Sequence, residues 1–384
     1  MLISRALLPT VIEKFNFSNK GIVVYGARQV GKTTLMNEII HRLNVKTLMI
    51  NGDHSRYLDI LSSRDLSKIK SLVEGYELLF VDEAQRIPEI GIALKIILDN
   101  IPYIRVLVTG SSSLDLVSKI SEPLTGRVWS YRLYPISFLE LLKSKNRMEL
   151  DSTLEERLVY GSYPEIFSIT GGKQKWEYLQ NLNDGYLYKD LVEFGDIKNS
   201  GKIRDLLKLL AFQIGSQVSL TEIGNSLDMS KDTVARYIDL LEKSYIIFRL
   251  KGFSRNLRKE VTKMDKIYFY DLGVRNILID NLKPLKDRAD SGQLWENFLI
   301  TERMKLLDYT KDYALINFWR TYTGAELDYV EEKDGKLTGY EFKFGNKVKK
   351  VPSGFLSTYP GSDFHCINRD NYLDFILGKV DAND

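Results

Sequence analysis

Residues 26–33 read Gly-Ala-Arg-Gln-Val-Gly-Lys-Thr and fit the spacing G-x-x-x-x-G-K-[ST]. Residue types in that order suit the capture of phosphate. Glycines let backbone N–H groups wrap an anion, and a helix opening at Lys32 adds the positive end of its dipole. Lys32 supplies a point charge for the β- and γ-phosphates, and the Thr33 hydroxyl a ligand for Mg²⁺. Thr34 can donate toward the α-phosphate. The expected binding loop is therefore Gly26, Ala27, Arg28, Gln29, Val30, Gly31, Lys32, Thr33 and Thr34, and the expected cofactors are ATP and Mg²⁺.

A second element supports the first. Leu78 to Val81 is an apolar run that ends in Asp82-Glu83. Asp82 is placed to hold Mg²⁺, and Glu83 to orient and deprotonate an attacking water. The second carboxylate favours hydrolysis over transfer to a small-molecule acceptor. Arg105 to Val108 leads into Thr109-Gly110-Ser111. Thr109 and Ser111 are candidates to touch the γ-phosphate or the water. A serine-rich turn capping a helix at Leu114 is the equal alternative. Arg127 is a candidate arginine finger toward a neighbouring subunit's ATP, set against a plain surface salt bridge.

Carboxylates recur near the C-terminus. Glu326 and Asp328 alternate onto one face of a strand, as do Glu341 and Lys343 on another. Glu296 opens an amphipathic helix. If the strands pair, Asp328 and Glu341 converge, with Glu296 reaching in and Lys343 stabilising charge. Oxygen ligands of this kind suit a second Mg²⁺.

The elements that must position these groups are legible from hydrophobic period. Gly21 to Tyr25, Thr47 to Asn51, Leu78 to Val81, Arg105 to Val108 and Val128 to Leu133 read as strands. Lys32 to Leu43 and Ile92 to Leu98 read as helices between them. Runs apolar at every residue suit central parallel strands covered on both faces. From Leu141 the pattern turns helical, through Leu158, Trp176 to Val192 and Ile203 to Ile214. Thr221 to Leu227 and Ser230 to Lys243 form a helix–turn–helix, followed by β-like runs at Tyr245 to Phe253 and Lys266 to Tyr270. The second of those helices carries Lys231, Thr233, Arg236 and Tyr237, and such a helix can enter a major groove. Between Lys243 and Lys266 stand eight basic and two acidic residues. Arg255, Arg258 and Lys259 fall at the tip of the expected wing, where phosphate contact is easy. A packing module with a solvated basic loop is the competing reading. A helix at Leu294 to Leu307 and strands at Ile316 to Arg320, Glu326 to Val330 and Thr338 to Phe344 complete the chain.

The composition narrows the rest. The chain has 384 residues, 44% hydrophobic and 27% charged, enough for two or three domains. Its net charge is only +3, so any basic surface is local. Cys366 is the one cysteine, which excludes an internal disulfide and zinc sites built on cysteine pairs. His41, His54 and His365 are scattered. No run approaches the ~20 apolar residues of a membrane helix. Met1 to Phe15 has no targeting pattern. A soluble cytoplasmic protein with no membrane partner is expected.

The segments GARQVGKTTL, LLFVDEAQRIP, VTGSSS, LTGRV and LYPISFLE resemble AAA+-type P-loop ATPases of a large prokaryotic group. GSYPEIF, YLYKDL and KIYFYDLG extend the likeness along nearly the whole chain. In that group an ATPase core precedes a winged helix and a nuclease-like C-terminal domain. The order Glu296, Asp328, Glu341-x-Lys343 resembles the PD-(D/E)xK nuclease fold, in its junction-resolving branch. The expected class is α/β: a P-loop AAA+-type parallel-sheet core at 1–142, a helical lid or linker at 143–200, a winged helix at 201–280 and a restriction-endonuclease-like domain at 281–384. Three functions stand together: an ATPase acting on DNA or RNA, a nucleotide-set switch with a protein partner, and an ATP-regulated metal-dependent nuclease. A homo-oligomer is compatible with each.

Overall fold

The structure is a computed structural model. It describes residues 3–110, 123–187, 200–255, 264–322, 324–345, 351 and 354–378. The chain divides into two compact units, one of Leu2–Pro135 with Lys243–Tyr245, the other of Ile136–Glu242 with Ile246–Asp384.

The first unit is built on five strands: β1 (Gly21–Tyr25), β2 (Thr47–Asn51), β3 (Leu78–Asp82), β4 (Arg105–Gly110) and β5 (Val128–Arg132). All neighbours pair in parallel, in the order β2-β3-β4-β1-β5. Every residue of β3 is buried, which is what a strand covered by helices on both faces requires. Val23, Leu79, Val81, Val106 and Val108 pack with Ile90, Leu94 and Ile97 of the helix Ile90–Asn100 into one core. Three helices have no counterpart in the hydrophobic pattern as read above: Leu7–Phe17, Leu58–Ser62 and Leu66–Val73. Two of them are shorter than nine residues, too short for a period to declare itself.

The strand order matters for chemistry. β4 lies between β1 and β3, and its register pairs Tyr25 with Gly110 and Val81 with Val108. The carboxyl ends of the three strands therefore lie side by side. In open α/β sheets that end is where ligands bind.

In the second unit the stretch after Pro135 is helical. It includes Arg147–Ser152, Leu154–Tyr160, Gly172–Leu182 and Ser200–Phe212. Helices Leu220–Leu227 and Lys231–Lys243 then form a tight helix–turn–helix. Asp228 closes the first in the left-handed region at φ 50°, and a Cβ on Gly224 would stand 2.7 Å from Met229 O, so the turn needs glycine there. Ser219 Oγ accepts from Glu222 N, and Ser230 Oγ from Thr233 N, capping both helices. Strands β6 (Ile247–Leu250) and β7 (Lys266–Phe269) pair antiparallel behind them.

The last part runs as the helix Ser291–Thr310, then β8 (Leu315–Arg320), β9 (Glu326–Lys333), β10 (Lys336–Phe342) and β11 (Asp363–Ile367), closing with the helix Tyr372–Leu377. The sheet order is β11-β10-β9-β8, antiparallel except where β11 joins β10 in parallel. The last strand and helix were not read from the sequence. Among the described residues no helix is long and apolar enough to cross a membrane.

Candidate functional site

The loop Gly26–Gly31 runs from the end of β1 into the helix Lys32–Leu43. A Cβ on Gly26 would lie 2.2 Å from Leu133 O, so only glycine lets the loop leave β1 against that carbonyl. Gly31 takes φ 93° as it caps the helix Lys32–Leu43, and Gln29 takes φ 59°. Alternating left-handed turns of this kind point N–H groups into one concavity, and the helix adds its dipole. Arg5, which the sequence reading passed over, fixes the loop from behind. Its guanidinium donates to Val30 O at 2.6 Å and to Tyr134 O at 2.5 Å, and the side chain is buried.

The chemically active groups converge on the loop. Lys32 is 5% exposed, and its Nζ donates to Gly26 O and Ala27 O, both at 3.0 Å. Thr33 Oγ1 donates to Asp82 Oδ2 at 2.8 Å. Asp82, 8% exposed, also accepts from Thr109 Oγ1 and from Glu83 N. Thr109 thus holds Asp82 rather than standing open to a phosphate, because β4 lies beside β3 and buries its hydroxyl completely. Glu83 follows with φ 50°, a conformation that costs a side-chain residue of order 1 kcal/mol or more. Gln85 Nε2 donates to Glu83 Oε2, so the carboxylate is oriented by a residue the motif alone does not name. A Cβ on Gly52 would strike Glu83 O at 2.4 Å, which makes glycine necessary beside the turn. Thr34 is exposed at the helix start, and Arg28 is half-buried in the loop. Ser111 lies outside the described residues.

Arg127 lies elsewhere. It precedes β5, and its carbonyl accepts from Gly21 N at the amino end of β1, the end opposite the loop. Its guanidinium grips Asp99 in a two-pronged pair at 2.7 and 3.1 Å. Hydrogen bonds from Arg127 hold the Asp99 carboxyl below its ordinary range. The structure does not bring Arg127 to its own phosphate loop.

In the second unit, Lys231 and Arg236 stand exposed on the second helix of the helix–turn–helix, and Tyr237 is buried beneath the Arg236 guanidinium. The basic stretch before Lys266 is less free than its count suggests. Arg249 is paired with Asp239 at 2.6 Å and with Glu242 at 2.5 Å, and Arg255 with Glu332 at 2.5 Å. Acids outside the counted window supply those partners. Arg258 and Lys259 lie outside the described residues.

The C-terminal carboxylates do come near one another. The β9–β10 register, which pairs Tyr329 with Tyr340, sets Asp328 beside Glu341, and Phe342 N donates to Asp328 Oδ2 at 2.8 Å. Burial, then the charges of Glu296 and Glu341, push the Asp328 carboxyl up to about 7, with Lys266 and the Phe342 N–H opposing. Lys343 pairs with Glu341 at 2.7 Å. Yet among the described residues no group of three or more His, Cys, Asp or Glu is arranged to hold a metal ion. A lysine from β7, Lys266, stands against two of the neighbouring carboxylates, Glu326 and Glu296.

GSYPEIF and KIYFYDLG meet in one packing knot. The buried Asp271 carboxylate accepts from Ser162 N at 2.6 Å and Val274 N at 3.2 Å. A Cβ on Gly161 would overlap Asp271 Oδ1 at 2.0 Å, and one on Gly273 would strike Tyr160 O at 2.2 Å. These glycines and the aspartate are structural. Most of YLYKDL lies outside the described residues.

Comparison with known proteins bears on the core first. Residues 18–142 match a family described as an AAA domain. They carry the loop, the Asp82 strand and the β2-β3-β4-β1-β5 sheet just described. These residues resemble an AAA domain. The fold of the first unit is accordingly that of a P-loop AAA-type ATPase. Outside the AAA domain, residues 151–285 and 291–370 match two domains of unknown function, DUF8612 and DUF4143. An uncharacterized protein of Mycobacterium tuberculosis is 29% identical over 326 residues, covering 84% of this chain and 70% of its own. One of Methanocaldococcus jannaschii is 27% identical over 355 residues, covering 87% and 77%. Among solved structures, a Walker-type ATPase of Pyrococcus abyssi superposes with a TM-score of 0.48 at 15% identity, covering 72% of this chain and 96% of that one. The Thermotoga maritima RuvB Holliday junction branch migration motor gives 0.34 at 16% identity, covering 64% and 90%.

Proposed function

We propose that the chain is an ATPase that hydrolyses ATP with Mg²⁺ and uses its nucleotide state to set nucleic-acid binding. The observation that carries the first half is the convergence of Thr33 and Thr109 on Asp82 beside a glycine-shaped loop that holds Lys32. The donor set fits a nucleoside triphosphate: backbone N–H groups and an ammonium for phosphate, a hydroxyl and a carboxylate for a hard cation. The residues that would hold the nucleotide are Gly26 to Thr34, and those that would hold Mg²⁺ are Thr33 and Asp82. A Mg²⁺ ion held there would supply neutralisation of the phosphate charge. Lys32 would exchange its two carbonyl partners for phosphate oxygens. Glu83, steadied by Gln85, would orient a water in line and take its proton. Thr109 keeps Asp82 aimed at the Thr33 hydroxyl.

The second half is supported by Lys231 and Arg236, exposed on a capped second helix of a helix–turn–helix, the element that enters a groove in such folds. The experiment is anisotropy of labelled duplex and single-stranded DNA and RNA across a salt series. Binding is expected to weaken with salt, and Lys231→Ala with Arg236→Ala to lower the salt slope by about 2, roughly one per lost phosphate contact. Unchanged binding in the double variant would remove the winged helix from the account.

One observation favours a second reading. Arg249 and Arg255, counted toward the basic wing, are already matched by Asp239, Glu242 and Glu332. That is the behaviour of an interaction module, and it supports a nucleotide-set switch whose partner is a protein.

A further inference from the structure

The C-terminal carboxylates invite a divalent cation, and the structure supplies a different one. Lys266 enters from β7 and is 4% exposed. Its Nζ stands 2.6 Å from Glu326 Oε1 and 3.3 Å from Glu296 Oε1. The Phe318 ring lies against the same ammonium, 5.4 Å from Nζ to centroid. Tyr268, two residues along and on the same face of β7, donates its hydroxyl to Glu296 Oε1 at 2.5 Å. Gly215, at φ 74°, lies beside the same carboxylate, where an added Cβ would stand 3.5 Å from Glu296 Oε1. Burial alone would lower the affinity of Lys266 for its proton. The charges of Glu296, Glu326 and Asp328 outweigh it and hold the group above its ordinary range. The remaining partners are also internal: Phe342 N for Asp328, Lys343 for Glu341, and Arg320 beside Glu326.

We infer that Lys266 is the resident counter-ion of this site, and that the C-terminal domain binds no divalent metal there. A Mg²⁺ ion needs carboxylate oxygens at about 2.0–2.1 Å. An ammonium already seated on Glu296 and Glu326, and within reach of the Asp328 charge, repels a second cation at that range. The acidic cluster then works as a charged knot that ties β7 to the Ser291–Thr310 helix and β9. A metal-dependent nuclease reaction has no place in it. The inference is independent of ATP turnover at the AAA domain.

The test counts bound Mn²⁺ by electron paramagnetic resonance on the full chain without nucleotide. Wild type and Asp328→Asn are expected to bind the same amount. Lys266→Met, which keeps the stem and removes the charge, is expected to gain about one equivalent, lost again when Asp328→Asn is added. Weaker Mn²⁺ binding in Asp328→Asn than in wild type would overturn the inference, and that pair decides even where Lys266→Met fails to fold. A folded Lys266→Met chain with no added equivalent would overturn it as well.

Discussion

Glu83→Gln is expected to slow ATP hydrolysis by about 10²–10⁴-fold, the range of a positioned general base, while ATP still binds. The amide keeps the size of the side chain and a hydrogen bond to Gln85, and removes the group that takes the proton. Lys32→Ala should lose binding itself, because the ammonium is the one charge held inside the glycine loop by Gly26 O and Ala27 O. The two variants separate chemistry from capture. Phosphate release and equilibrium binding of a fluorescent ATP analogue, measured on the same samples, read the difference. Equal losses in both measurements for Glu83→Gln would mean that the turn at φ 50° collapsed with the carboxylate, and that the residue shapes the site instead of acting in it.

The second large effect concerns stability. Asp290 lies between two guanidiniums, accepting from Arg288 at 2.8 Å and from Arg275. The side chain of Arg275 is 2% exposed and that of Arg288 is fully buried. Burial pushes the Asp290 carboxyl up. The hydrogen bonds and charges of Arg288 and Arg275 outweigh it and hold the carboxyl at about 2, against 3.8 for the free group. Asp290→Ala leaves both cations buried without their anion and is expected to cost about 3–5 kcal/mol. In a unit of this size that lowers the melting temperature by on the order of 10 °C. The pH dependence has a definite sign. A carboxyl with a depressed pKa stabilises fully above its unfolded value and loses that contribution as pH falls through the folded one. The difference between wild type and Asp290→Ala should therefore hold constant above pH 3.8 and shrink toward about 2. Thermal melts of both proteins across that range check it.

Much of the AAA domain was legible because its signals are local. The three central strands are apolar runs, and the loop declares itself through two glycines, a lysine and a threonine at fixed spacing. The reading placed Asp82 and Glu83 at a strand end, where they lie. It missed what depends on neighbours in space. Arg5 clamps Val30 and Tyr134, residues 25 and 129 positions away, and no short-range pattern announces such a partner. The sequence makes Thr109 a candidate for the γ-phosphate or the water, but β4 comes to rest against β3 and hands its hydroxyl to Asp82. For Arg127 the sequence offers a finger or a surface salt bridge, and it cannot name the partner of the bridge, because Asp99 stands 28 residues away.

The C-terminal site shows the same division. Alternation correctly put Asp328 and Glu341 on strand faces. It carried no information on Lys266, which stands 30 residues from Glu296 in sequence and reaches it only through β7. The local charge count is blind to the same kind of partner. A window of sequence sees eight basic and two acidic residues, while the fold pairs Arg249 and Arg255 with acids beyond the window.

The central claim is that nucleotide state governs what the second unit binds. The direct measurement uses Glu83→Gln as a trap. Its affinity for labelled nucleic acid, with ATP·Mg²⁺ held at the loop, is compared with its affinity in ADP·Mg²⁺ at one salt concentration. The account predicts affinities at least tenfold apart between the two states, and no such difference in Lys32→Ala. Equal affinities in ATP and ADP, with both nucleotides shown to be bound, would contradict it.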